Sequence, residues 1–438
     1  MRRFRQNAKE NAAIDIEIDG HFTSKTYMSD SAITGRIVVR PSRDLPFDAV
    51  EISFCGAETT RANNLTQHTD GSTMRRFLTM QIPVSRICFP ETMTFKSCQD
   101  YMIPFQFVIP CSLPNSACST ACRDAAVRER HRRLPPTMGG WELDDQSPTA
   151  AQIEYYIGAK ILQISSPDSR FCLTETRRTL NVLPACPEDP PLHVLPSDER
   201  YKLSRVKTIS KGIRMLAPKG GHLRVSSTQP AAIMLAPDGR GASPSTVSLT
   251  LNFTPVTADR PPPVINSVSG SLTCSTFFGS VPTGRLPDLG RRRDYLIVSP
   301  SFEYKTTQKV FNVHPGELAW AQDVPEEVKR QVESSIIDTA NDSGIHGYRW
   351  HGPWPRKHGT KLTNAGFVYT SLLDIHFALP NNDGKRILPT FYSCLTSRTY
   401  ALHLKLSVGQ AKTTISLAVP LQIGVNAARS DSSWNLLA

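Results

Sequence analysis

Four residues in the first third of the chain carry the donor types of a zinc site: Cys111, Cys118, Cys122 and His131. Thiolate and imidazole are the ligands zinc prefers, arranged four at a time around a tetrahedron. Their spacings do not match the paired knuckles of zinc folds, and no Cys-x-x-Cys occurs among the ten cysteines. The expectation is therefore ordinary reduced thiols, with no metal and no cofactor. His131 also sits in the most charged short segment, Arg128-Glu129-Arg130-His131-Arg132-Arg133. A guanidinium grips phosphate through two parallel N–H bonds. Arg128, Arg130, Arg132 and Arg133 could thus recognise a phosphoinositide headgroup or a phosphorylated tail, provided that the segment is ordered. The competing reading is a solvated, mobile loop. Arg291, Arg292 and Arg293, and the run Arg356-Lys357-His358, could extend such a surface.

Other chemistry is not legible. There is no His-Glu-x-x-His helix, no Walker phosphate loop and no Gly-x-Ser-x-Gly elbow. Gly239-Arg240-Gly241 lacks the third glycine of a dinucleotide fingerprint and has no βαβ pattern around it. The expectation is a chain with no catalytic residues, not an enzyme. The net charge of +11, from 50 Lys and Arg against 39 Asp and Glu, permits anionic partners without choosing among them. No helix-turn-helix, RNA-recognition or zinc-finger pattern points to nucleic acid, so none is expected as a partner.

The elements that would have to position these residues are strands. Ile14, Ile16 and Ile18 alternate with acidic residues, and Val50, Ile52 and Phe54 with Glu51 and Ser53. Phe105, Phe107 and Ile109 follow Pro104, and Ile153, Tyr155 and Ile157 form another such run. The pattern returns at 247–253, 373–379, 400–408 and 415–423. Period-two alternation buries one face of a strand. Repeated at short intervals between turn signals, it predicts all-β sandwich domains. Pro420, inside the last run, should lie on a sheet edge or at a bulge.

Four prolines within 184–191 cannot sit in a central strand or helix. The expected organisation is a basic segment (1–13), a first β-sandwich (14–185), a Pro-rich linker (186–200), a second β-sandwich (201–425) and a short tail (426–438). A helical insertion is expected at 323–344. There Asp323 can cap, Pro325 and Glu326 suit the first turn, and Val328, Val332 and Ile336 make one apolar stripe. The region 345–366, with Trp350 and Trp354, reads as a loop. No run of 18 apolar residues and no secretory leader pattern is present, so the expected location is the cytoplasm.

Several local sequences, taken in order, resemble one family. Gly35-Arg36-Ile37-Val38-Val39 is followed by Val50-Glu51-Ile52-Ser53-Phe54-Cys55-Gly56 and Phe77-Leu78. Then come Tyr101 to Pro110 with Pro104-Phe105-Gln106-Phe107, Leu134-Pro135-Pro136, and Ile153-Glu154-Tyr155-Tyr156-Ile157. This order is similar to the N-terminal domain of arrestin-like proteins, especially fungal α-arrestins. Leu388-Pro389-Thr390-Phe391, Ser397-Arg398-Thr399-Tyr400 and Val419-Pro420-Leu421-Gln422-Ile423-Gly424 resemble the C-terminal domain.

The resemblance, over about residues 14–425, implies an all-β arrestin fold of two tandem immunoglobulin-like sandwiches. It implies an adaptor that binds cytoplasmic tails of transporters or receptors, associates with plasma membrane or endosomes, and acts in endocytosis, trafficking and signal transduction. Family members often recruit a HECT-type ubiquitin ligase through Pro-Pro-x-Tyr, which this sequence lacks. An extracellular-type immunoglobulin-like binding protein and an enzyme on a β scaffold remain the alternatives.

Overall fold

The structure is a computed structural model that describes residues 12–61, 72–118, 124–166, 169–210, 219–257, 259–291, 301–323, 367–380 and 384–427. It is an all-β architecture of several sheets, with one short α-helix among the described residues.

The first half contains β1 (Ala12–Ile18), β2 (Thr26–Tyr27), β3 (Ala32–Pro41), β4 (Leu45–Pro46) and β5 (Ala49–Arg61). It continues with β6 (Ser72–Ile82), β7 (Thr94–Phe95), β8 (Tyr101–Val108), helix α1 (Ala125–His131), β9 (Ala151–Ser166) and β10 (Ser169–Val182). One sheet has the order β1-β3-β8, and the other β2-β10-β9-β5-β6. Both contribute to a single core, through Ile37, Ile103 and Phe105 on one side and Ile52, Phe54, Tyr155 and Ile157 on the other. Each such side chain contributes roughly 1.5–3 kcal/mol on leaving water.

The second half contains β11 (Ser204–Ser210), β12 (Lys219–Ser227), β13 (Ile233–Leu235), β14 (Ser245–Pro255), β15 (Ile265–Gly279) and β16 (Ser301–Val313). After these come β17 (Ala321–Asp323), β18 (Val368–Phe377), β19 (Phe391–Tyr392), β20 (Thr396–Val408), β21 (Thr413–Leu421) and β22 (Ile423–Val425). One sheet runs β11-β12-β14-β18-β17. The other runs β16-β15-β20-β19, with β21 also paired to β20. Their shared core includes Val247, Leu249, Leu251, Leu402, Leu404 and Leu406. The alternation that marks β14 in the sequence is its burial pattern, with every second residue inside.

The two cores change over at Val182, in the first, and Leu183, in the second. They also interlock. Phe278, Leu388 and Phe391 from the second half complete the first core, and Met28 from the first half enters the second. The proline-rich segment is pinned as it passes between them. Cys186 pairs with Val425, and Asp189 N–H donates to Gln422 Oε1 at 2.9 Å.

Two glycines show why their motifs need that residue. A Cβ on Gly35 would fall inside the contact distance of the Glu17 carbonyl oxygen on β1, and one on Gly56 would lie 2.5 Å from the Phe77 ring. The approach of backbone to backbone, or of backbone to ring, leaves no room for a methyl. Pro420 lies on β21, an edge strand. Ala418 N–H bonds outward to the Lys202 carbonyl, so Pro420, two residues on, also faces outward, where no ladder donor is lost.

One expectation meets a different outcome. The basic run 128–133 is not a loop but begins inside α1, capped by Asp124 Oδ1 accepting from Ala126 N at 2.9 Å. Asp323, the expected cap of the helical insertion, ends strand β17 opposite Val368. The remainder of the expected helix and the loop 345–366 lie outside the described residues, as do Arg356, Lys357 and His358.

Candidate metal centre at the seam

Helix α1 places its basic residues where a helix end favours them. Arg128, Arg130 and His131 occupy its last turn, where the helix dipole is negative. The four arginines then diverge. Arg130 and Arg133 both turn to Asp189, at 3.6 and 2.7 Å, and Arg130 also stacks over Tyr392. Arg128 is exposed, and the Nε of Arg132 is buried without a hydrogen-bond partner. Arg291 is exposed beside Gly290, while Arg292 and Arg293 lie outside the described residues.

His131 points inward. Burial, with a smaller contribution from the Arg75 charge, pulls its pKa down to about 4, so the ring is neutral. Its Nδ1 lies 3.6 Å from Cys118 Sγ and 3.7 Å from Cys394 Sγ, and the two sulfurs are 3.9 Å apart. The three donors come from distant places. Cys118 follows the 3-10 turn Asn115–Ala117, His131 ends α1, and Cys394 lies in the turn joining β19 to β20. Cys394 and His131 are buried, and Cys118 is partly so. Burial pushes the Cys394 thiol up to about 12. No disulfide forms among the nine described cysteines.

An acid–base pair stands behind the cluster. Glu58 is fully buried on β5, and its carboxylate accepts from Ser393 Oγ at 2.8 Å and from Arg75 Nη1 at 2.9 Å. Burial raises the Glu58 pKa against those partners. The Arg75 charge also acts on the Cys394 thiol, against the effect of its burial.

Of the four candidate donors Cys111, Cys118, Cys122 and His131, which were expected to be ordinary thiols and a histidine without metal, the structure brings together Cys118 and His131. Cys111 is exposed, with its thiol against the Asp30 carboxylate at 3.0 Å, and Cys122 lies outside the described residues. Cys394, which belongs to the cluster, is 263 residues from His131, so no spacing motif announced it. The expectation that the chain is no enzyme is corrected here. It rested on the absence of convergent reactive groups, and the fold brings together two thiols and an imidazole with a geometry compatible with metal coordination. Such a donor set has catalytic or cofactor capacity.

Elsewhere the seam is polar. Arg398 on β20 is fully buried and donates to the Asp145 carbonyl at 2.7 Å, Ser147 Oγ at 2.9 Å and Thr276 Oγ1 at 3.0 Å. Thr60 Oγ1 donates to the Gly279 carbonyl, and Thr306 Oγ1 to Gln146 Oε1. A cleft of about 670 Å³ opens between the halves, lined by Trp141, Gln146 and Asn181 from one and Arg240, Lys385 and Arg386 from the other. Arg386 stacks on Trp141 at 3.6 Å, and burial lowers its pKa to about 10. No helix among the described residues is long and apolar enough to cross a membrane. No family model matches the chain, and no curated protein matches it.

Proposed function

We propose that the chain is an arrestin-like adaptor, built from two tandem immunoglobulin-like β-sandwiches, that binds cytoplasmic segments of transporters or receptors in endocytic trafficking. The observation that carries the reading is the cleft between two β halves, each built on its own core, with Arg240, Lys385 and Arg386 on one wall. A concave site at the junction of two halves, with a few polar groups to fix orientation, is where a ligand segment is best enclosed. Cationic groups there favour an acidic or phosphorylated peptide. The ordered motifs that resemble arrestin-like proteins support the same assignment. In this reading the protein works in the cytoplasm, peripherally at plasma membrane or endosomes. Recruitment of a HECT-type ligase would use a route other than Pro-Pro-x-Tyr. A contribution from phosphoinositides falls to the basic run 128–133, in which Asp189 also pairs with Arg130 and Arg133.

The test is proximity labelling in the native cell with the full chain, compared with the doubly charge-reversed variant Arg240→Glu/Lys385→Glu. Integral membrane proteins enriched by the former and reduced several-fold by the latter are the expected result. A neighbourhood without membrane or trafficking proteins overturns the reading.

A further inference from the structure

We propose that Cys118, His131 and Cys394 bind one zinc ion, with the fourth position open to water or a small anion, and that the ion clasps the two halves of the chain together. The inference is independent of the adaptor reading.

Geometry comes first. With zinc–sulfur bonds near 2.3 Å and zinc–nitrogen bonds near 2.05 Å, a tetrahedron has S···S edges of about 3.8 Å and S···N edges of about 3.6 Å. The observed edges are 3.9 Å between the sulfurs and 3.6 and 3.7 Å from sulfur to Nδ1. All three edges of one tetrahedral face are present together. A single thiol–imidazole hydrogen bond accounts for one edge and leaves the second sulfur's position unexplained. The sulfurs are also far beyond the roughly 2.05 Å of a disulfide bond.

Chemistry and charge agree with this. Two thiolates and a neutral imidazole suit a borderline-soft ion such as zinc, and three protein ligands leave the fourth position vacant. Two thiolates neutralise a divalent ion, and the adjacent Arg75–Glu58 pair is neutral in itself, so the whole assembly adds no net charge to a buried place. The Arg75 guanidinium, held by Glu58 at 2.9 Å, puts a positive charge near the Cys394 thiol. Nε2 of His131 is buried without a protein partner. That departs from the usual backing by carboxylate or carbonyl.

The role follows from where the ligands come from. Cys118 and His131 belong to the first half, and Cys394 to the β19–β20 turn of the second. Otherwise α1 meets the second half by packing on β19, with Arg130 over Tyr392, and is tied to the proline-rich linker by the Asp189 ion pairs. An ion here bonds all three segments at once.

The experiment uses the full chain, purified without affinity metals. Elemental analysis should find about one zinc per chain. After chelation, added cobalt(II) should give the visible bands and thiolate charge transfer of a tetrahedral site. Cys394→Ser and His131→Asn should each lose the stoichiometric ion, and Cys111→Ser should keep it. The cobalt titration of the unaltered chain needs no variant to fold. Zinc should raise the melting temperature of the unaltered chain and leave that of Cys394→Ser in place. No tetrahedral cobalt spectrum in the reduced protein, copper retained in place of zinc, or a Cys118–Cys394 disulfide in the native protein would each overturn the proposal.

Discussion

Arg398→Met tests whether the polar seam is held by a buried cation. The variant keeps most of the side-chain stem and removes only the guanidinium, one of the largest fully buried groups in the protein. Four acceptors lose a donor: the carbonyls of Asp145 and Gln146, Ser147 Oγ and Thr276 Oγ1. The hydroxyls can rotate to other partners, but the carbonyls cannot. Each buried carbonyl left without a donor costs about 1–3 kcal/mol. The guanidinium charge also interacts with the buried Asp145 carboxylate, which in the variant keeps only its N–H donors from Gly139 and Ser147 and the more distant Arg386 charge. Against this, the desolvation of the cation itself is relieved. Breaking one side of a buried charged network usually costs about 3–5 kcal/mol, and the lower end is expected here. That corresponds to a fall in melting temperature of roughly 6–12 °C, at about 2–4 °C per kcal/mol for domains of 150–250 residues. Guanidinium unfolding of the full chain gives the free energy. A cycle with Asp145→Asn should show coupling above about 1 kcal/mol. A loss below about 1 kcal/mol for Arg398→Met, or strict additivity in the cycle, would refute the reasoning.

Asp189→Asn should free Arg130 and Arg133, cost about 1 kcal/mol because the pair is partly exposed, and strengthen binding to phosphoinositide liposomes at low salt. Liposome binding unchanged by the variant would exclude these arginines from lipid recognition. Asp288 is fully buried, accepts from Tyr201 and Tyr392, and has its pKa raised mainly by burial. Its folded-state pKa therefore exceeds the unfolded one, so its favourable contribution is complete below the unfolded pKa and is lost as pH rises through the folded pKa. Asp288→Asn should flatten that decline, gaining on the unaltered protein from pH 4 to 7 in denaturant midpoints. Gly35→Ala should destabilise more than Gly56→Ala in urea unfolding. Its methyl meets the fixed Glu17 carbonyl, whereas the Phe77 ring can yield at a cost of about 1–3 kcal/mol.

The strands could be read before any coordinates because burial on one face writes itself into every second residue, as in Val247, Leu249, Leu251 and Phe253. Gly35 and Gly56 were visible as motif positions, although the carbonyl and ring that require them lie on other strands. Helix α1 was not visible. Seven residues with Val127 and His131 as the buried pair carry too little periodicity, and charge dominates the local composition. The metal cluster was half visible. Cys118 and His131 drew attention by type, but their partner is supplied by sheet register in the other half. Register between distant strands leaves no local spacing to read. The ion pairs of the basic run were not visible for a related reason, since the carboxylate that meets Arg130 and Arg133 lies in the proline-rich segment beyond the first half.

The interlocked cores bear on biosynthesis. Protein halves are usually expected to fold as they leave the ribosome, the first before the second. Here Phe278, Leu388 and Phe391 fill places in the first core, yet all three lie well beyond Val182, where the last strand of the first half ends. The growing chain therefore carries an apolar core with unfilled sockets until β19 has been made. A holding chaperone has a reason to attend the nascent N-terminal half until β19 emerges. Expression of that half alone should yield a protein that aggregates, even though every strand of its sheets is present.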